Sequence, residues 1–295
     1  MNITSPPPSN RPAEFLFRGN AVAAAGFLTR IKGVTVPQDA NTVTTHGESC
    51  LPLSGGVSHS LVLEPTLAFP EFIRHGAVET FVQGTAVGVS TVTTLRASVN
   101  SVQVTTSPSP EDQLPHERSV SFQADRLSIA VRSTHPPQGQ PSFELIGQPE
   151  TLNMSLVVTQ TSGESTRTPI RLQFDEPLIA LRTLKDLDDK FLSDAAFFDE
   201  HVSCFPTRRK LIFGKSKVPR TRQGYVVGSI VKQITFGDQV IQGSVLTRPG
   251  FGTISFGVLV TDDYSRRIAL VRIRFGSDPG GNACFTGIET NGIWT

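Results

Sequence analysis

The stretch from Gly224 to Ile288 constrains the fold more than any other, because it alternates apolar and polar residues through five short runs separated by turn residues. A period of two over consecutive runs predicts an antiparallel meander and excludes a helical reading. Tyr225 to Phe236 is rich in β-branched residues, and Gly237-Asp238 links it to Gln239–Leu246 by the Gly-X connection of a type II′ hairpin. Ile254, Phe256, Val258 and Val260 fall on one face, with Asp262-Asp263 supplying the next turn. In the following run Val271, Ile273 and Phe275 alternate with Arg272 and Arg274, which predicts one buried face and guanidinium groups in solvent on the other. Ser277 to Gly281 turns the chain into a last strand from Asn282 to Glu289.

Upstream of the meander the β pattern continues. A Pro-rich leader occupies 1–14, and a β region follows over 15–200. Phe15–Ala23 and Gly26–Val36 read as two strands, a polar loop runs from Gln38 to Cys50, and Ser58–Leu63 is a strand. Ala77–Thr106 is too long for one ordinary strand, so a bend is expected near Gly84 and Gly88 and another break at Thr93-Thr94. Leu127, Ile129 and Val131 are expected inside with Arg126 and Arg132 outside, and Leu152–Gln160 with Pro169–Phe174 forms a hairpin. The small-residue runs Arg18–Ala21 and Gly280–Ala283 suggest that the first and last strands are neighbours closing the sheet.

Two segments depart from β character. Leu184, Leu187, Phe191, Ala195 and Phe198 recur at steps of three and four behind a Thr183–Asp186 cap, which predicts one amphipathic helix over 183–199 packed on a sheet. Within the loop 201–223 lie Arg208, Arg209, Lys210, Lys215, Lys217, Arg220 and Arg222, and no acidic residue occurs between Glu200 and Asp238. Seven cations in fifteen residues would release counterions on binding nucleic acid. Aromatic stacking groups are limited to Phe205 and Phe213 and the formal net charge is +1, so a solvated or subunit-bridging loop is the better reading. This loop separates the β region from the meander of 224–295.

No catalytic motif is legible. His46, Glu48 and Cys50 bring an imidazole, a carboxylate and a thiol within five residues, a set able to hold a metal or prime a nucleophile, but a second ligand pair is not evident. Ser58-His59 lacks the strand–turn–helix spacing of a hydrolase elbow, and Gly250-Phe251-Gly252 lacks the third glycine of a dinucleotide loop. Asp125 and His135 complete the set of polar groups that a cavity would have to bring together. No metal or cofactor is expected from this pattern. Cys50, Cys204 and Cys284 are too few and too scattered for a disulfide framework. The N-terminus lacks the basic start and apolar run of a signal peptide, and no apolar stretch is long enough to span a bilayer, so a cytoplasmic protein is expected, with signal-independent export the alternative.

Gly47–Gly56 (GESCLPLSGG), Asp125–Pro136 (DRLSIAVRSTHP), the segment around Leu184–Phe198 and Pro249–Gly292 together resemble a family of bacterial hypothetical proteins, nearly end to end. The resemblance implies one integrated unit and carries no assigned activity. It places small polar or apolar residues at Cys50 and Cys284, which implies that neither thiol is essential.

The expectation is therefore a mainly β protein, an antiparallel sandwich or barrel-like sheet with one helix upon it. Its leading functional reading is a non-enzymatic structural or binding protein, a homo-oligomer that self-associates through β surfaces. An enzyme or small-molecule-binding barrel, and a carbohydrate- or surface-recognition module using Trp294, Tyr225 or Tyr264, are the alternatives.

Overall fold

The computed structural model describes residues 14–31, 34–35, 44–67, 69–108, 112, 114–138, 142–174, 226–261, 265–276 and 278–294. The expected helix over 183–199 and the basic loop of 201–223 lie outside them, as do Tyr225 and Tyr264. In chain order the strands are β1 (Phe15–Ile31), β2 (Val34–Thr35), β3 (Thr44–Cys50), β4 (Gly56–Val62), β5 (Ile73–Arg74), β6 (Val78–Val87), β7 (Ser90–Thr106), β8 (Glu117–His135), β9 (Ser142–Leu145) and β10 (Glu150–Leu152). They continue with β11 (Ser155–Gln160), β12 (Ser165–Phe174), β13 (Val226–Ser229), β14 (Val231–Phe236), β15 (Gln239–Gln242), β16 (Val245–Arg248), β17 (Gly252–Thr261), β18 (Ser265–Phe275) and β19 (Gly280–Trp294).

These form two antiparallel sheets. The eight-stranded sheet runs β13-β17-β18-β19-β1-β2, with β16 also on β17 and β3 also on β1. The eleven-stranded sheet runs β15-β14-β12-β11-β8-β7-β6-β4, with β9 and β10 also on β8 and β5 on β7. Neither closes into a barrel, which corrects the barrel-like alternative. One apolar cluster takes Leu28, Ile254, Phe256, Val271 and Phe285 from the smaller sheet and Val99, Val104, Phe122 and Leu127 from the larger, so the two sheets face each other across it. Side chains such as Phe122 and Phe256, fully removed from water, each contribute about 1.5–3 kcal/mol of transfer free energy.

The first and last strands are neighbours along their whole length, Phe15 opposite Trp294 and Arg30 opposite Gly280. They lie inside the sheet and do not close it. The Gly237-Asp238 hairpin joins Phe236 to Gln239, with φ of 58° at Gly237. The run from Tyr225 to Phe236, in contrast, is broken at Ile230: β13 pairs with β17 and β14 with β12, so the chain passes from one sheet to the other there.

Both sheets carry a transverse crease at which the inward-facing set of residues changes phase. In β1 the buried side chains step through Phe15, Phe17, Ala21 and Ala23, then shift by one to Ala24 and Leu28. In β7 they step through Leu95, Ala97 and Val99 and resume at Val102 and Val104; in β8 the shift falls between Ala124 and Leu127. Left-handed residues mark the crease: Gly47 (φ 63°), Gly257 (φ 59°) and Thr286 (φ 55°) in the smaller sheet and Ser101 (φ 52°) in the larger. The strands depart from expectation at three places, the first and third of them at the crease. Phe15–Ile31 is one strand, not two. The long tract turns at Gly88-Val89, the bend expected near Gly88, but β7 runs unbroken through Thr93-Thr94. Thr44–Cys50, read as loop, is a strand whose alternation Gly47 interrupts.

Arg272 is a fourth correction. Arg274 is exposed as expected, but Arg272 is only 7% exposed, lying on an interior strand between Ser255 of β17 and Cys284 of β19. Its guanidinium Nε and Nη1 are themselves removed from water, on a strand flanked on both sides.

Candidate functional site

The two creases meet at a pair of histidines. His46 precedes Gly47 on β3, next to Ala24 of β1. His75 follows β5 in the other sheet, where the chain leaves one half of β7 for the other; Gly76 N–H donates to Asn100 O at 2.8 Å. His46 Nδ1 lies 2.9 Å from His75 Nε2. The outer nitrogens face backbone carbonyls, His46 Nε2 at 3.0 Å from Thr66 O and His75 Nδ1 at 3.0 Å from Gly76 O.

These contacts tie the tautomers of the two rings to the charge of the pair. A carbonyl oxygen only accepts, so with both outer nitrogens donating, two neutral rings present two lone pairs to each other, whereas a neutral pair joined by one N–H···N bond leaves one carbonyl contact without a proton. A third proton between His46 Nδ1 and His75 Nε2 makes all three contacts hydrogen bonds, and the pair then carries one positive charge. Burial, opposed by the Gly76 carbonyl and reinforced by the charge on His46, pushes His75 below the ordinary imidazole range. In the singly protonated pair, His75 Nε2 is accordingly the acceptor of the shared proton.

Beside the pair is a cavity of about 20 Å³ walled by Ala24, Leu67, Phe69, Ile73 and Phe285. That holds roughly one water, against roughly 300–1,000 Å³ for a small-molecule site. Of the five polar candidates, this cavity is lined by His46 alone.

The others are dispersed. Glu48 is exposed beside Cys50, whose Sγ donates to Glu48 Oε1 at 3.8 Å. His59 pairs with Glu79 at 3.1 Å on the exposed side of β4. Asp125 accepts from Asn153 Nδ2 at 2.6 Å in solvent. His135 is buried at the far end of the core, its Nε2 2.8 Å from Ser133 Oγ and its ring 5.0 Å from that of Phe15.

Ser133 and His135 have the separation of a nucleophile and its base. Their setting is wrong for catalysis. Ser133 is 1% exposed and His135 4%, so no substrate reaches them. Burial, then the charge of Arg266, lowers His135 to about 4, leaving it a weak base. Thr93 and Thr290, with hydroxyls lacking a partner among the described residues, complete a buried polar patch with Arg266.

Among the described residues no three His, Cys, Asp or Glu side chains converge as metal ligands, and no helix is long and apolar enough to cross a membrane. Cys50 is exposed and Cys284 half-buried. His75 is the member of the histidine pair that sequence reasoning missed: it lies 29 residues from His46 with no periodic pattern linking them. No family model, curated protein or solved structure matches the chain.

Proposed function

We propose that the chain is a non-enzymatic structural or binding protein that self-associates through its β edges. The observation that carries this reading is β4. It ends the eleven-stranded sheet, and among the described residues no strand pairs with its outer side. Val57 is 58% exposed and Leu61 54%. The strand contains no Lys, Arg, Asp, Glu or Pro, the residues with which soluble proteins blunt an edge. An unpaired row of backbone N–H and C=O groups beside exposed apolar side chains is a template for another strand.

The dispersal of the polar candidates, of which the cavity beside the histidine pair is lined by His46 alone, weighs against a small-molecule enzyme. Sedimentation equilibrium of the full chain tests the proposal: concentration-dependent association is expected, and a clean monomer at high concentration overturns it.

A further inference from the structure

We propose that β4 pairs with β4 of a second copy of this chain, antiparallel and about a two-fold axis through His59. This rests on the self-association reading and specifies its interface.

The strand is nearly a palindrome, Val57-Ser58-His59-Ser60-Leu61. Antiparallel pairing centred on His59 sets Val57 against Leu61 of the second copy, Ser58 against Ser60, and His59 against His59. The outward-facing row is Val57, His59 and Leu61, opposite Gln83, Phe81 and Glu79 of β6. The inward row is Ser58 and Ser60, opposite the buried Val82 and Thr80. Two copies in this register therefore join apolar to apolar on one face and hydroxyl to hydroxyl on the other, both favourable cross-strand pairs. Each residue meets its complement twice, as an isologous interface requires. A slip by one residue would set Val57 against Ser60 and Ser58 against His59, and both matches would be lost.

The His59 imidazoles meet at the axis, each with its own Glu79 carboxylate 3.1 Å away, so the axis does not bring together two uncompensated cations. The two eleven-stranded sheets would continue through the interface as one.

Other edges fit less well. β15 and β13 have four residues each and β2 has two, while β3 carries the Glu48 carboxylate and is interrupted by Gly47 at φ 63°. β4 is the long edge among the described residues with neither a break nor a charge that is always present.

Disulfide trapping in the full chain, with Cys50, Cys204 and Cys284 replaced by Ser, reads the register directly. At a cross-strand pair the Cα atoms stand about 4.5–5.5 Å apart, within disulfide reach. His59→Cys alone should give a covalent dimer on mild oxidation. A mixture of Val57→Cys and Leu61→Cys chains should give the mixed dimer, and Val57→Cys alone should not. Val57→Lys with Leu61→Lys, both at exposed positions, should weaken association by roughly tenfold or more without lowering the melting temperature. Association that persists in the lysine variant, with no trapping through His59→Cys, overturns the β4 interface and leaves self-association standing. A monomeric parent chain overturns both.

Discussion

His46 Nδ1 stands 2.9 Å from His75 Nε2 while the far nitrogen of each ring faces a backbone carbonyl, so all three contacts are hydrogen bonds only when the pair holds three ring protons. The pair links β3 of one sheet to the β5–β6 connection of the other.

This geometry predicts the protonation state. In ¹⁵N-detected histidine spectra of the singly protonated pair, reached on acidification, His46 should show an N–H at Nε2 and His75 an N–H at Nδ1. A third, strongly deshielded proton should couple to both facing nitrogens. Two neutral rings, with the His46 proton on Nδ1, would show that one carbonyl contact is no hydrogen bond and would sink the proton count.

His135 gives the acid response of the fold. Burial and the Arg266 charge hold it at about 4 in the native state, against an ordinary value of 6.5. Between those values the unfolded chain binds more protons than the native one, so acid favours unfolding. The contribution is fully present above about 6.5 and is lost as pH falls towards 4. Lowering the pH from about 7 to about 4.5 should cost about 2–3 kcal/mol through this residue. Urea unfolding of the parent and of His135→Gln should show a steeper acid loss in the parent; parallel pH profiles would contradict the assignment.

How much of this was legible in the sequence follows from the crease. Where alternation holds, as at Leu127, Ile129 and Val131, burial was readable residue by residue, and all three are at most 1% exposed. Where the phase shifts, the same rule misleads. Ala23 and Ala24 are both buried, which in sequence looks like the end of one strand and the start of another. No local signal marks Thr286 as left-handed, since a β-branched residue is among the least suited to φ 55°. Arg272 was misplaced because alternation with apolar residues does not show that a strand flanked on both sides buries the guanidinium as well. The histidine pair was invisible for a further reason: it depends on two separate creases coming together, and His46 was visible only as part of a short polar motif.

The crease also makes a packing prediction. Gly47 and Gly88 have nearly the same left-handed φ, 63° and 60°, so alanine strains both backbones by about 1 kcal/mol. At Gly88 an added Cβ meets nothing within 4 Å, whereas at Gly47 it would sit 2.9 Å from Val78 Cγ2 and 3.2 Å from Ala23 Cβ. Gly47→Ala should therefore lose a further 1–3 kcal/mol or so, about the usual cost of overpacking. Equal melting temperatures for the two variants would mean that the sheets are not held as closely at the crease as the Val78 contact indicates.

Cys50 tests the electrostatics of β3. Its thiol is raised above the ordinary value by partial burial first, then by the charge of Glu48 and by donating a hydrogen bond to it. A thiol held protonated is a poor nucleophile, because the thiolate is the reactive form. Alkylation of Cys50 at about pH 8, in a chain carrying Cys204→Ser and Cys284→Ser, should be slow. Glu48→Gln removes the charge and should quicken it by about twofold or more, since a smaller shift leaves a larger thiolate fraction. An unchanged or slower rate would show that burial alone governs the thiol and that the 3.8 Å contact with Glu48 has no electrostatic consequence.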